Sequence, residues 1–305
     1  MATQEPGLQA DTIVGGDFRV VRSLGSGGMG AVYVAEQLST GSLRALKILH
    51  RDLAADDAEL QRFLGEARLA SRIPSDHVVQ VVGAGRDADG APWLAMELLE
   101  GESLAARMRR DGRLAPGAVQ EVFAQLCHAL GAAHAAGIVH RDIKPENVFL
   151  AVPRREGPRF TLKVLDFGIA KLVAQVRRTA TVPVGTPLWM APEQSEVSPA
   201  IGPPTDVWAL GLLAFLLLTG KSYWLSGHSA QAGVSAFLRE LLYEPLPAAS
   251  ARAAALHCAD ALPAGFDSWF ERCVCREVAG RFADATAARA ARRPGPRRAT
   301  PWPPR

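Results

Sequence analysis

From Phe18 onward the chain alternates apolar and polar residues with a period of two. The stretches FRVVRSLG, AVYVAEQ and SLRALKIL follow one another with glycine turns between them, the pattern of half-buried antiparallel strands. Residues 1–17 are polar and punctuated by glycine, and are expected to form a flexible lead-in. From Ala58 the period lengthens: Leu60, Phe63, Leu64 and Ala67 fall at helical spacing, predicting a helix from Ala58 to Ile73. Two more strands, Val78–Val82 and Trp93–Glu97, flank the turn DADG. Helices are then predicted over Leu104–Arg110 and Pro116–Gly137, with Gly137 as the C-cap of the second.

Residues 151–160, AVPRREGPRF, read as a hairpin turn between short strands, the second running from Thr161 to Leu165. The most apolar run, VWALGLLAFLLLT from Val207 to Thr219, is shorter than the roughly 20 residues that a bilayer requires. It predicts a buried core helix, with Asp206 as a candidate N-cap. Residues 221–285 are helix-rich with proline breaks, and 291–305 form a basic, proline-rich tail expected to be disordered.

Composition changes this picture little. With 305 residues, 48% hydrophobic and 21% charged, the chain is long enough for one large domain or two lobes. Its net charge of +3 makes no demand for nucleic acid or an anionic membrane. Cys127, Cys258, Cys273 and Cys275 lack metal-ligand spacing and read as buried free thiols in a reducing compartment. The N-terminus carries neither the basic nor the apolar region of a signal peptide. The expectation is a soluble, cytoplasmic protein without a membrane span.

Several short stretches carry chemistry. Gly25, Gly27 and Gly30 in LGSGGMGAV have a spacing shared with dinucleotide-binding loops, and Asp52 lies about where a ribose contact would. A dinucleotide loop must open a helix, however, whereas this one leads into the alternating Ala31-Val32-Tyr33-Val34. A hairpin whose glycines let backbone N–H groups close over phosphates fits better. Lys47 in RALKIL is an inward lysine on an apolar strand, unfavourable unless its charge finds partners. Further on, VHRDIKPENVFL holds Asp142, Lys144 and Asn147 within six residues. A carboxylate accepts a proton or holds a metal, a lysine meets a phosphate, and an asparagine carbonyl ligates a hard cation. A second carboxylate, Asp166, follows in Leu165-Asp166-Phe167-Gly168.

Taken in order, the glycine loop, Lys47, Glu66, HRD-K-N, DFG, the Ala191-Pro192-Glu193 triplet and Arg281 resemble a Ser/Thr protein kinase from Phe18 to Phe282. HRDIKPENVFL, DFGIAK and GTPLWMAPEQ are most similar to the bacterial, eukaryotic-like Hanks-type branch. The resemblance implies an α+β bilobal fold, with a β-rich N-lobe at 18–96, a hinge at 97–102 and a helical C-lobe at 103–290. ATP would lie in the cleft between the lobes.

It further implies that Leu24, Gly25, Ser26, Gly27, Gly28, Met29, Gly30, Ala31 and Val32 cover the nucleotide. Lys47 would hold its phosphates and pair with Glu66. Ala45 would touch the base, Glu97 and Leu99 would offer backbone hydrogen bonds to adenine, and Met96 would be the gatekeeper. Asp142 would accept the proton of the substrate hydroxyl, Lys144 would sit by the γ-phosphate, and Asn147 and Asp166 would hold Mg²⁺. Asp206 would brace the catalytic loop, and Arg281 would pair with Glu193.

By the same resemblance Lys144 and Thr186 suit Ser/Thr acceptors on protein substrates in bacterial signalling. Thr179 or Thr181 would be phosphorylated in trans by a second copy. One departure is Phe149, where an aliphatic residue often floors the adenine pocket. Three other functions would require different residues. A pseudokinase scaffold predicts losses at Lys47, Asp142 or Asp166. A small-molecule phosphotransferase predicts HGD and no APE-type segment. NAD-type binding requires a βαβ unit. The residues present disfavour each of them.

Overall fold

Antiparallel strands with tight glycine turns come first and helices follow, and the computed structural model separates the two into lobes. It describes residues 8–27, 30–50, 57–153, 159–167, 188–195, 201–228 and 233–291, without the side chains of 57–59, 62 and 66. The N-lobe sheet contains β1 (Ile13–Val14), β2 (Phe18–Gly27), β3 (Gly30–Gln37), β4 (Ser42–Leu49), β5 (Val81–Arg86) and β6 (Pro92–Glu97). Their spatial order is β1-β2-β3-β4-β6-β5, every neighbouring pair antiparallel. Helix α1 (Asp57–Ala70) joins β4 to β5 and packs Leu60, Phe63 and Ala67 against Leu49, Val79, Leu94 and Met96.

Below the hinge, β7 (Gly101–Ser103), β8 (Val148–Ala151) and β9 (Thr161–Val164) make a small antiparallel sheet. Around it lie α2 (Leu104–Asp111), α3 (Pro116–Ala135), α4 (Pro203–Thr219), α5 (Val234–Leu242), α6 (Ala249–Ala255), α7 (Phe266–Glu271) and α8 (Ala285–Ala291). Helix α4 is apolar on all sides because it is the core of this lobe: Val207, Trp208, Leu210, Leu213 and Phe215 are all 0% exposed. Among the described residues no helix is long and apolar enough to cross a membrane.

Four expectations need correction. Part of the anticipated lead-in is structured: Val14 pairs with Phe18 and is fully buried, and the Leu8 N–H donates to the Tyr33 hydroxyl. The helix expected to reach Ile73 ends at Ala70, because Pro74 disfavours helical geometry at the residue before it. The strand expected at Val78–Val82 lies at Val81–Arg86. Val79 instead donates its N–H to the Val164 carbonyl, while Val164 donates to His77, so this apolar run is shared between the two sheets. The N-cap of α4 is Gly202, followed by Pro203, and Asp206 lies inside the first turn.

Helix α3 ends as its glycine suggests. Gly137 adopts φ 74° and donates to His134, and Ile138 donates to Ala133, a Schellman closure that releases the chain directly into Val139 and His140.

Candidate active site

The loop after α3 is held from beneath by one carboxylate. Asp206 is 1% exposed; its Oδ2 accepts the His140 N–H and His134 Nε2, each at 2.8 Å, and its Oδ1 accepts the Arg141 N–H at 2.7 Å. Arg141 has φ 70°, in the left-handed region that a side chain disfavours, so the loop's turn depends on such over-determination. The His140 ring continues the scaffold, with Nε2 at 2.7 Å from the Leu165 carbonyl and an edge-to-face contact with Phe167 at 4.6 Å between centroids.

The acid, lysine and amide converge on top of this scaffold. Lys144 Nζ lies 2.7 Å from Asp142 Oδ2, and Asn147 Nδ2 donates to the Asp142 carbonyl at 2.7 Å and to the same Oδ2 at 3.0 Å. Among the described residues Asp142 Oδ1 receives no hydrogen bond, which leaves that oxygen for a ligand. Leu165 N–H donates to the Asn147 carbonyl and sets Asp166 beside the cluster. Asp166 is also left-handed, at φ 60°, and its Oδ2 binds Lys47 Nζ at 2.7 Å across the cleft from β4.

The donor set suits a hard divalent cation. Asn147 is 5% exposed and both its described side-chain bonds run through Nδ2, so its Oδ1 is free to coordinate. Together with an Asp166 oxygen this gives two protein ligands, a number that suits Mg²⁺ when phosphates and water supply the rest.

The hinge end is equally defined. Glu97 closes β6, donates its N–H to the Gln80 carbonyl at 2.9 Å, and accepts the Gln80 N–H on Oε1. The backbone group it can offer a base is therefore its carbonyl. Leu24 is exposed and Val32 half-buried, Ala45 and Leu99 are half-buried against the core beneath α1, and Met96 is buried and backs an apolar cavity lined by Phe63, Leu94 and Phe167.

In the glycine loop, Gly30 is required by the fold itself. Its φ is 144°, and a Cβ there would stand 1.9 Å from the Ile48 carbonyl oxygen. At Gly27 a Cβ would meet nothing within 4 Å among the described residues. Gly28, Met29, Thr179, Thr181 and Thr186 lie outside the described residues, as does the Glu66 side chain expected to meet Lys47.

At the far end of the lobe Glu193 is gripped by Arg281, with Nη1 at 2.7 Å from Oε1 and Nη2 at 2.8 Å from Oε2, and Thr205 adds a third bond. Burial pushes the Glu193 carboxyl up, but the Arg281 hydrogen bonds and charge outweigh it, and the net pKa falls below the ordinary 4.5. A depressed carboxylate contributes stability that is complete above about pH 4.5 and is lost as pH falls through the native value. The stability difference between wild type and Glu193→Gln in urea melts is therefore expected to shrink from pH 7 toward pH ~3. A pH-independent difference would remove this ion-pair contribution.

A strand-rich lobe above a helical one, with Lys47, Asp142, Lys144, Asn147 and Asp166 gathered at the seam, defines the class of bilobal protein-kinase folds. The sequence signature of the protein kinase domain matches residues 18–283, and the chain belongs to that family. Serine/threonine-protein kinase Pkn1 of Myxococcus xanthus is 48% identical over 219 residues, covering 69% of this chain and 30% of that protein. PknL of Mycobacterium tuberculosis is 35% identical over 271 residues, covering 88% of this chain and 63% of that protein. The crystal structure of the M. tuberculosis PknI kinase domain superposes with a TM-score of 0.70 at 27% identity, covering 94% of this chain and 98% of that one. The chain thus spans less than two thirds of the curated relatives' length but nearly all of a solved kinase domain.

Proposed function

We propose that the chain is a Ser/Thr protein kinase that transfers the γ-phosphate of ATP to Ser and Thr hydroxyls of proteins. The observation that carries this reading is the convergence of Asp142, Lys144 and Asn147 beside the Lys47–Asp166 pair. Phosphoryl transfer needs positioning and charge neutralisation more than covalent participation. The free Oδ1 of Asp142 accepts the substrate hydroxyl's hydrogen bond and then its proton. Lys144 holds the carboxylate in place and adds positive charge on the side where the transferred phosphoryl passes. Lys47 orients the nucleotide phosphates, and the glycine loop supplies backbone N–H groups above them. Asn147 and Asp166 would hold Mg²⁺, which would supply positive charge to offset that of the phosphates.

We read residues 18–290 as the kinase domain, split at the hinge 97–102, with 291–305 as a separate tail. Ser/Thr proteins are its substrates and a second copy is one of them. Among the described residues the Arg141 guanidinium makes no hydrogen bond or ion pair, and it is the natural partner for phosphate on Thr179 or Thr181. Phosphosite mapping of active protein is expected to find one of these two modified; active protein bearing neither would exclude both.

The test of the whole reading is transfer of labelled γ-phosphate from ATP to a generic protein acceptor. Label recovered as phosphoserine or phosphothreonine supports it. Intact nucleotide binding without transfer would replace it with a scaffold role.

A further inference from the structure

The two ends of a nucleotide in this cleft are fixed by different elements. The hinge faces the base, and the loop bearing Asp166 faces the phosphates. One side chain ties these elements together. Lys163 sits on β9, three residues before Asp166, and reaches up to Glu97, the last residue of β6. Its Nζ lies 2.6 Å from Glu97 Oε1 and 3.5 Å from the Val78 carbonyl. The Lys163 side chain is 15% exposed and that of Glu97 8%, so the pair is screened from solvent.

The same Glu97 oxygen also accepts the Gln80 N–H, and the Glu97 N–H returns to Gln80. The carboxylate is therefore the meeting point of β6, β9 and the residue that leads into β5. On the other side, Leu165 between Lys163 and Asp166 is bonded to Asn147 through its N–H and to His140 through its carbonyl. Strand β9 is thus rigidly coupled to the acid–lysine–amide cluster.

We infer that Lys163 is a positioning residue that sets nucleotide affinity by fixing the hinge, through Glu97, relative to the Asp166 loop. This rests on the nucleotide-binding part of the function proposed above. Removing Lys163 takes a counter-charge from a buried carboxylate, and Glu97 regains water by drawing the hinge away from β9. The base and phosphate subsites then cease to match one rigid ligand, and binding weakens. Lys163 meets no reacting atom, so the transfer step from bound ATP is spared.

The experiment is calorimetric titration of the full chain with ADP and Mg²⁺, alongside the ATP dependence of phosphoryl transfer. Lys163→Met is expected to weaken ADP binding and raise KM for ATP by about tenfold, with kcat within about threefold of wild type. Lys163→Arg keeps the cation and should recover most of the affinity. Glu97→Gln should match Lys163→Met, and the double variant should lose little more than either alone. Glu97→Gln also keeps an acceptor for Gln80, so it serves if Lys163→Met is too unstable to titrate.

Unchanged ADP affinity in a folded Lys163→Met or Glu97→Gln protein would overturn the inference. So would a fall in kcat with KM unmoved, or additive effects in the double variant. A wild type that transfers no phosphate but binds ADP in a Lys163-dependent way would overturn the proposed activity and support the inference.

Discussion

Asp142→Asn is expected to lower kcat for phosphoryl transfer by about a hundred- to ten-thousand-fold, the usual worth of a positioned acid–base group. The substitution is nearly isosteric. Its carbonyl oxygen can stand where Oδ2 stands and accept the bonds that Lys144 and Asn147 now donate, at 2.7 Å and 3.0 Å. The fold should therefore survive. What is lost is basicity: an amide cannot take the proton released by the attacking hydroxyl. Nucleotide affinity should stay within about threefold of wild type, since the change removes a group used in the transition state. Single-turnover transfer with saturating ATP checks the first point and ADP titration the second. Transfer at the wild-type rate would take the base role away from Asp142.

Asp206→Ala is expected to be the most destabilising of the changes considered, by about 3–5 kcal/mol, as for other buried charged groups stripped of their partners. The carboxylate receives two backbone N–H groups, from His140 and Arg141, and a histidine ring, all in the lobe's interior. Removal leaves those donors without an acceptor where water does not reach, and buried donors left unsatisfied are destabilising in their own right. The left-handed Arg141 also loses what holds it, so activity should fall further than the folded fraction does. Asp206→Asn preserves volume but turns an N–H₂ toward one of the donors and should recover only part of the loss. Urea midpoints of the three proteins, with kcat normalised to folded protein, give the comparison. Equal stability of wild type and Asp206→Ala would mean that the loop is held by other contacts.

The sequence made much of this architecture legible, for identifiable physical reasons. Of β2, β3 and β4, only β2 opens with period-two burial, at Phe18–Val20; β3 and β4 bury consecutive residues, Tyr33 to Ala35 and Leu46 to Lys47, and were located by their strand-forming residues between glycine turns. Gly137 revealed the end of α3 because only a left-handed residue permits that closure. The clustering of Asp142, Lys144 and Asn147 was visible because they lie within one short loop, whose turn brings neighbours in sequence together.

What stayed hidden involves partners distant in sequence. Val78 and Val79 looked like the start of a strand because apolarity does not reveal which sheet a residue joins. Gly83 and Gly85 obscured the true strand. Gly85 is there to admit the Trp93 ring, which a Cβ would approach to 2.7 Å, whereas at Gly83 the same ring would lie at 3.4 Å. Ile13–Val14 is too short a strand to show a period, and β7 is disguised by Gly101, whose Cβ would meet the Leu150 carbonyl at 2.2 Å. The Glu97–Lys163 pair spans 66 residues, and neither residue's neighbours in sequence announce it.

The hydrogen bonds from Val79 to Val164 and from Val164 to His77 place His77–Val79 mechanically with the helical lobe, although the segment lies between two elements of the strand lobe. The hinge leaves β6 close by. These two attachments define a line, and a rotation of the six-stranded sheet about it would open the cleft while breaking neither. In such a rotation Met96, at the end of β6 beside the hinge, would move little, and the Gly25–Gly27 tip of the β2–β3 hairpin would move more.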